Sequence, residues 1–224
     1  MAVILQIETT TTNCSVGISK DGELVAIKEK SDDKYLHAES LHLFIEEALK
    51  DASFLLEEVD AVAVSMGPGS YTGLRIGVSA AKGLCFALEK PLISVSTLES
   101  MAHQLKINKG WLVPMLDARR MEVYTAVFDN AYKIMKPVWA EVVTKDSFQQ
   151  ELASGEVHFL GNGATKCKEL IKHSNAIFHD EIQLPSARQM TMLAYKKFKI
   201  GSFENVAYFE PYYLKDFMGT KSKK

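Results

Sequence analysis

The chain has 224 residues, which is enough for one large domain or for two small lobes with a real core. Its composition, 47% hydrophobic and 24% charged, is ordinary for a globular protein, and its formal net charge of −2 argues against strong non-specific binding to nucleic acid. The widely separated Cys14, Cys85 and Cys167 argue against a disulfide framework or a cysteine-based zinc site, and they fit a reducing compartment. With no signal-peptide pattern and no stretch of membrane-spanning length, we expect a cytoplasmic protein.

The first thirty residues predict three strands. The apolar stretch 3–7 ends at Glu8, which is followed by a run of threonines, and the alternating stretches 14–19 and 24–28 are joined by a hairpin turn. A carboxylate at the exit of the first strand could hold a metal–phosphate group. The simpler interpretation, which we favour for this stretch alone, is a turn whose hydroxyl side chains satisfy the backbone.

Residues 35–51 predict an amphipathic helix with one strong apolar stripe. Leu36 and Leu43 lie among the charged residues of the opposite side, so this helix has a second, minor apolar seam. His37 and His42 are five residues apart and therefore lie on different faces, which argues against a metal site there.

The most informative stretch is a strand at 61–66, a Gly67–Pro68–Gly69–Ser70 turn and a helix at 72–88. Only one narrow stripe of this helix is charged, and it holds Arg75, Lys82 and Glu89. A helix that is apolar on nearly all sides must be buried on more than one side. The small residues Gly73, Gly77 and Ala81 would let a second helix approach. The sequence pattern alone leaves two explanations for this burial: the helix is packed between other elements of its own domain, or it contacts a partner protein.

A short strand at 92–95 and a Ser96 capping box precede a polar stretch, 106–110, which is the best candidate for a lobe boundary.

The second half then repeats the first. A strand at 111–116 ends at Asp117, and two further strands and a helix near 144–154 follow. A strand at 157–160 then leads to Gly161–Asn162–Gly163 and to another helix at 164–172. We therefore expect lobes at 1–105 and 106–217, with a last helix at 186–200 and a disordered basic tail at 218–224.

Two βββαβα lobes, with an acid after each first strand, follow the plan of the actin-like, Hsp70 and sugar-kinase (ASKHA) ATPase superfold, in which a nucleotide lies between the lobes. The analogy makes the following residues a candidate vestigial nucleotide cleft: Glu8, Asp117, Gly161 and Gly163.

Several motifs resemble the TsaB family, whose older names are YeaZ and glycoprotease family protein. The most specific is Gly-Pro-Gly-Ser-Tyr-Thr-Gly-Leu-Arg at 67–75, and weaker agreements occur at 7–10, 37–41, 95–98, 117–124 and 211–215. The resemblance covers nearly the whole chain. It implies the non-catalytic subunit of the bacterial machinery that makes threonylcarbamoyladenosine (t6A) in tRNA.

This resemblance implies a partnership rather than a catalytic site. TsaB proteins pair with TsaD, the homologous catalytic subunit, and with TsaE, a small ATPase, and they form homodimers when TsaD is absent. ATP and metal are then expected on the partner subunits, with tRNA contacted only indirectly. The chain lacks the His-x-x-x-His pair that TsaD uses for its metal, and the loop residues Gly67, Pro68, Gly69 and Gly73 lack a P-loop ending, so we interpret this loop as structural.

The surface implied for the partner is the pair of helices in the first lobe, which are also the helices with surplus apolar faces. The expected interface residues are Leu36, Leu43, Ile76, Ala80, Gly83 and Ala87.

Three alternatives stay open. A peptidase has no support, because neither a Gly-x-Ser-x-Gly elbow nor a His-Glu-x-x-His motif occurs. A self-sufficient ATPase or kinase would use Glu8 and Asp117 on magnesium. A direct tRNA-binding protein is disfavoured by the near-neutral charge and by the lack of an aromatic-basic patch in the sequence, although Lys221, Lys223 and Lys224 could add weak phosphate contacts.

Overall fold

The computed structural model describes residues 1–31 and 37–215, and within them the chain forms two mixed five-stranded sheets. The elements of the first half are β1 (Val3–Glu8), β2 (Asn13–Lys20), β3 (Glu23–Ser31), α1 (His37–Ala52), β4 (Ala61–Gly67), α2 (Tyr71–Leu88), β5 (Leu92–Ser96) and α3 (Thr97–Ala102). Those of the second half are β6 (Trp111–Asp117), β7 (Glu122–Asp129), β8 (Ile134–Val142), α4 (Gln149–Ser154), β9 (Val157–Leu160), α5 (Asn162–Thr165), β10 (Ala176–His179) and α6 (Ala187–Lys199).

The two sheets have the same topology. The first has the order β3-β2-β1-β4-β5 and the second β8-β7-β6-β9-β10. In each sheet the first three strands form an antiparallel meander, in which each strand pairs antiparallel with the next, and the last two strands run parallel to the first. The duplication predicted from the sequence is therefore confirmed, and with it the α/β class of two βββαβα lobes.

Each sheet is covered on both faces because its central strands are apolar on both sides. In β1, Val3, Leu5 and Ile7 pack with α1 and α2, whereas Ile4 points to the opposite face and packs with α6. In the second sheet one face packs against Phe148, Leu152 and the segment after β9. The other face packs against α3.

Two helices pack across the expected division between residues 105 and 106. Helix α3 belongs to the first half of the chain, yet its Leu98 and Met101 pack in the core of the second sheet. Helix α6 belongs to the second half, yet its Met190 and Leu193 pack on the first sheet. The two halves thus exchange their last helices, because the inner face of each sheet needs an apolar cover and the cover comes from the other half.

Three expectations about the second half also need correction. The helix expected near 144–154 begins only at Gln149, after Phe148 in a left-handed conformation, and the helix expected at 164–172 is only the short α5, followed by turns. Strand β10 was missed because it has four residues, each of them half-buried. The tail expected at 218–224 lies outside the described residues.

Within the described part of the chain, no helix has both the length and the apolar character needed to cross a membrane.

Candidate partner-binding face and interlobe cleft

Helices α1 and α2 lie side by side on one face of the first sheet and contact each other. Helix α1 buries Leu41, Ile45 and Ala48 against the sheet, so Leu43 points outward and is 51% exposed. Helix α2 buries Leu74, Val78, Ala81 and Cys85 in the same way. The outward sides of the two helices therefore form one surface, which we call the α1–α2 face.

The α1–α2 face contains the interface residues expected from the sequence, as far as they are described. Gly83 and Ala87 are exposed, and Ile76 and Ala80 are half-buried at the edge of the core. Leu36 lies outside the described residues. Phe86 was missed, although it is 83% exposed and follows Gly83 by one helical turn, a spacing that the sequence already shows.

Two residues of the charged stripe of α2, Arg75 and Lys82, contact the segment that follows α6. The Lys82 ammonium donates to the carbonyl oxygens of Ala207 and Phe209, at 3.1 and 3.0 Å. The Arg75 guanidinium lies 4.1 Å from the ring centroid of Tyr71 and is hydrogen-bonded to Tyr213. The segment after α6 therefore packs along α2 through two of its charged side chains.

The Gly67–Gly73 loop brings the start of α2 against the turn that follows β1. A Cβ atom at position 73 would lie 2.0 Å from the Thr9 carbonyl oxygen, and one at position 77 would lie 2.2 Å from the Thr9 hydroxyl oxygen. Both distances are shorter than van der Waals contact. The Thr9 hydroxyl donates to the Gly73 carbonyl oxygen over 2.8 Å. The small residues of α2 therefore allow close approach to its own sheet and do not form a groove for a second helix. Gly67, at φ +106°, and Gly69, next to the Thr10 backbone, belong to the same approach, with Pro68 between them.

Glu8 is fully buried at the end of β1. One carboxylate oxygen accepts hydrogen bonds of 2.6 Å from the Thr10 amide and from the Thr10 hydroxyl, and the other accepts one from the Ser65 hydroxyl. Burial raises the pKa of this carboxyl, and these hydrogen bonds lower it by a smaller amount. With both oxygens occupied inside the core, Glu8 does not line the space between the lobes.

Asp117 occupies the equivalent position in the second sheet but has a different environment. Its side chain is 45% exposed and forms an ion pair with Lys166. Its amide donates to the Asn162 side-chain oxygen over 2.9 Å. Gly161, at φ +99°, and Gly163 pack against the Met115–Leu116 backbone at the end of β6. The four residues expected to form a nucleotide cleft are therefore not brought together, since of these only Asp117 lines the cavity.

A cleft of about 930 Å³ lies between the two sheets. One wall is the 10–12 turn with the start of α2, the opposite wall is the 116–124 hairpin, and the 212–215 segment closes one side. Its lining therefore combines hydroxyl groups, tyrosine rings and charged side chains from three distant parts of the sequence.

The histidines and cysteines give no metal centre among residues 1–31 and 37–215. His37 is buried, with its Nε2 atom 2.6 Å from the Thr11 carbonyl oxygen, and burial lowers its pKa. Burial raises the pKa of each of the three cysteine thiols to about 11, so they are poor nucleophiles at neutral pH.

Comparison with known proteins identifies the family. The family model described as "TsaD: tRNA N6-adenosine threonylcarbamoyltransferase" matches residues 32–218. The tRNA threonylcarbamoyladenosine biosynthesis protein TsaB of Escherichia coli K12 is 32% identical, and the alignment covers 95% of this chain and 94% of that protein. The chain belongs to the TsaB family. The resemblance inferred from the motifs at 67–75 and elsewhere is thereby confirmed.

Solved structures agree with this assignment. YeaZ from Pseudomonas aeruginosa superposes with a TM-score of 0.83 at 25% identity, covering 96% of this chain and all of that one. The Acidaminococcus fermentans (R)-2-hydroxyglutaryl-CoA dehydratase component A superposes with a TM-score of 0.50 at 12% identity, covering 88% and 98%. The second likeness shows the fold alone, and together with the duplicated sheets it places this TsaB-family chain in the ASKHA superfold.

Proposed function

We propose that this chain is a non-catalytic subunit in the biosynthesis of threonylcarbamoyladenosine in tRNA, and that it binds the catalytic TsaD subunit through the α1–α2 face. The TsaB relatives are named for this pathway, and the matching family model is that of TsaD. In the proposed assembly TsaE joins the pair, and a second copy of this chain occupies the same face when TsaD is absent.

The observation that carries the proposal is the exposed apolar surface of the two long helices. Phe86 is 83% exposed and Leu43 is 51% exposed, and the small Gly83 and Ala87 of α2 are exposed as well. Contiguous apolar surface on a soluble domain favours a protein partner, and aromatic side chains at the centre of such a surface contribute strongly to binding.

The state of the two acids supports a non-catalytic role. A magnesium–nucleotide needs free carboxylate oxygens, but the Glu8 oxygens accept hydrogen bonds inside the core and Asp117 is paired with Lys166. These residues do not fit a metal–phosphate group in the arrangement observed. We therefore assign no cofactor to this chain and place ATP and metal on the partner subunits.

The proposal is tested by Phe86→Asp, since this side chain is almost fully exposed and its replacement leaves the core intact. We expect binding to TsaD to weaken at least tenfold, because an aspartate would be desolvated in an apolar interface. Ile134→Asp is the matched control, because Ile134 is 52% exposed on β8, in the other half of the molecule.

Co-purification with TsaD and TsaE, followed by a tRNA modification assay, gives the readout. Phe86→Asp should lose both pairing and stimulation of the modification, whereas Ile134→Asp should retain both. Equal TsaD binding by the two variants would contradict the proposed face, and micromolar binding of Mg-ATP by the isolated chain would contradict the non-catalytic role.

A further inference from the structure

Folding assembles a basic and aromatic cleft that no single stretch of the sequence shows. Tyr71 comes from the start of α2, Arg119 and Arg120 from the turn after β6, and Tyr212 and Lys215 from the segment after α6. These residues are separated by tens of positions in the chain, so the sequence contained no visible aromatic-basic patch.

Among the described residues, the acids of the cleft do not neutralise its positive charge. Asp117 is paired with Lys166, and Glu122 is paired with Lys215. Arg119 and Arg120 are exposed and form no ion pair with any of the residues that the structure describes. Two guanidinium groups, each with several fixed hydrogen-bond donors, are therefore available for phosphate oxygens.

The turn that carries the two arginines is held in place by Lys166. Its ammonium donates to the carbonyl oxygens of Arg120 and Glu122, at 2.6 and 2.7 Å, and the Arg119 amide donates to the Asp117 carboxylate over 3.0 Å. Arg119 and Arg120 have positive φ values of 70° and 52°. These bonds fix a backbone conformation that free arginines seldom adopt and keep both side chains at the cleft.

The charges favour a phosphodiester over a magnesium-bound triphosphate. In the part of the chain that the structure describes, the two carboxylates of the cleft are each paired with a lysine through one oxygen, which partly neutralises their charge and weakens them as ligands for magnesium. The tyrosines of the lining supply aromatic faces for nucleobases, and Tyr212 is 39% exposed. The volume of about 930 Å³ lies near the upper end of ligand pockets, at roughly 1,000 Å³.

We propose that the interlobe cleft binds a single-stranded RNA segment, with phosphates on Arg119 and Arg120 and a base stacked on Tyr212. This inference rests on the proposed function, because a subunit of a tRNA-modifying assembly works beside an RNA strand. It replaces the expectation that tRNA is contacted only indirectly.

The test measures fluorescence anisotropy of a labelled single-stranded RNA of about ten nucleotides with the isolated full chain, at about 50 mM salt and upwards. The double variant Arg119→Gln with Arg120→Gln should weaken binding at least tenfold. It should also reduce the slope of log Kd against log salt by about 1.4, the value for two phosphate contacts to a single strand. Tyr212→Leu should weaken binding about fivefold or more through lost stacking.

The matched control is Lys133→Gln with Lys145→Gln, which removes the same charge from exposed sites outside the cleft. It should bind RNA as the wild type does. Equal losses in the two double variants, or no RNA binding by the wild type at low salt, would overturn the proposal. Displacement of the RNA by AMP at an equal concentration of phosphate groups would also overturn it, since the ligand would then be a free nucleotide.

These measurements use the chain without its partners, so they are independent of the α1–α2 face. Arg119→Gln with Arg120→Gln should still bind TsaD, whereas Phe86→Asp should still bind RNA. Because RNA binding and TsaD binding are measured separately in each variant, a failure of the RNA assignment can be distinguished from a failure of the proposed function.

Discussion

The two halves of the molecule share one topology but differ at the acid that follows the first strand. Glu8 is fully buried and accepts hydrogen bonds from Thr10 and Ser65, whereas Asp117 is 45% exposed and pairs with Lys166. One duplicated position has thus become part of a core in the first half and part of a charged cleft wall in the second.

The helices of the two halves differ as well. Helices α1 and α2 have 16 and 18 residues, while α4 and α5 have six and four. The two long helices of the first half cover the central strands of their sheet and also present exposed apolar side chains, Leu43 and Phe86. In the proposed function the first half binds the partner, whereas the second half contributes the arginines of the cleft.

The largest expected effect concerns the packing of α2 on the first sheet. Gly73→Ala should destabilise the protein by about 3 kcal/mol or more, because the added methyl group meets the Thr9 carbonyl oxygen. Gly73 is six residues after Gly67, the first glycine of its Gly-x-Gly turn, and the same count from Gly161 in the second half gives Cys167. Because cysteine has a Cβ atom, the second half does not have the glycine that this close approach requires.

Gly83→Ala is the control within the same helix, because a Cβ at Gly83 meets no atom within 4 Å. It should stabilise the isolated chain by about 0.5–1 kcal/mol, through the higher helix propensity of alanine. Urea denaturation measures both values. Similar stabilities for the two variants would show that α2 does not depend on this contact.

A smaller loss of stability is expected when either of the two acids, Glu8 or Asp117, is replaced by alanine. Glu8→Ala should cost about 2–3 kcal/mol, since it leaves the donors of Thr10 and Ser65 unpaired in the core. Asp117→Ala should cost about 1 kcal/mol or less, because it removes a solvent-exposed ion pair. Chemical denaturation of the two variants checks the difference, and a larger loss at Asp117 would reverse the comparison.

The smallest effect is the pH dependence of the first acid. Burial raises the pKa of Glu8 in the folded state, so its contribution to stability is complete below the unfolded value and is lost as the pH rises through the folded one. The wild type should therefore gain stability relative to Glu8→Gln as the pH falls from 8 to 5. Urea denaturation across this range measures the difference, with Gly83→Ala as a non-ionising control whose difference from wild type should stay constant. A gain in the opposite direction would mean that hydrogen bonding outweighs desolvation at Glu8.

Much of the fold could be predicted from the sequence because its signals are local. Strand alternation, the Ser96 cap and the two Gly-x-Gly turns located most elements, and the apolar surplus of α2 indicated an outward face. The exchange of α3 and α6 could not be predicted, since an apolar helix does not specify which sheet it covers. The burial of Glu8 and the pairing of Lys82 with backbone carbonyls depend on contacts between distant segments, as does the cleft around Arg119 and Arg120.

Hydroxyl-radical footprinting of this chain with and without TsaD tests most directly whether the α1–α2 face binds the partner. Oxidation of Leu43 and Phe86 should fall in the complex, while oxidation of Ile134 and Met135 on β8 should be unchanged. Unchanged oxidation of Leu43 and Phe86, with protection only on β8, would place the partner on the second half and contradict the central claim.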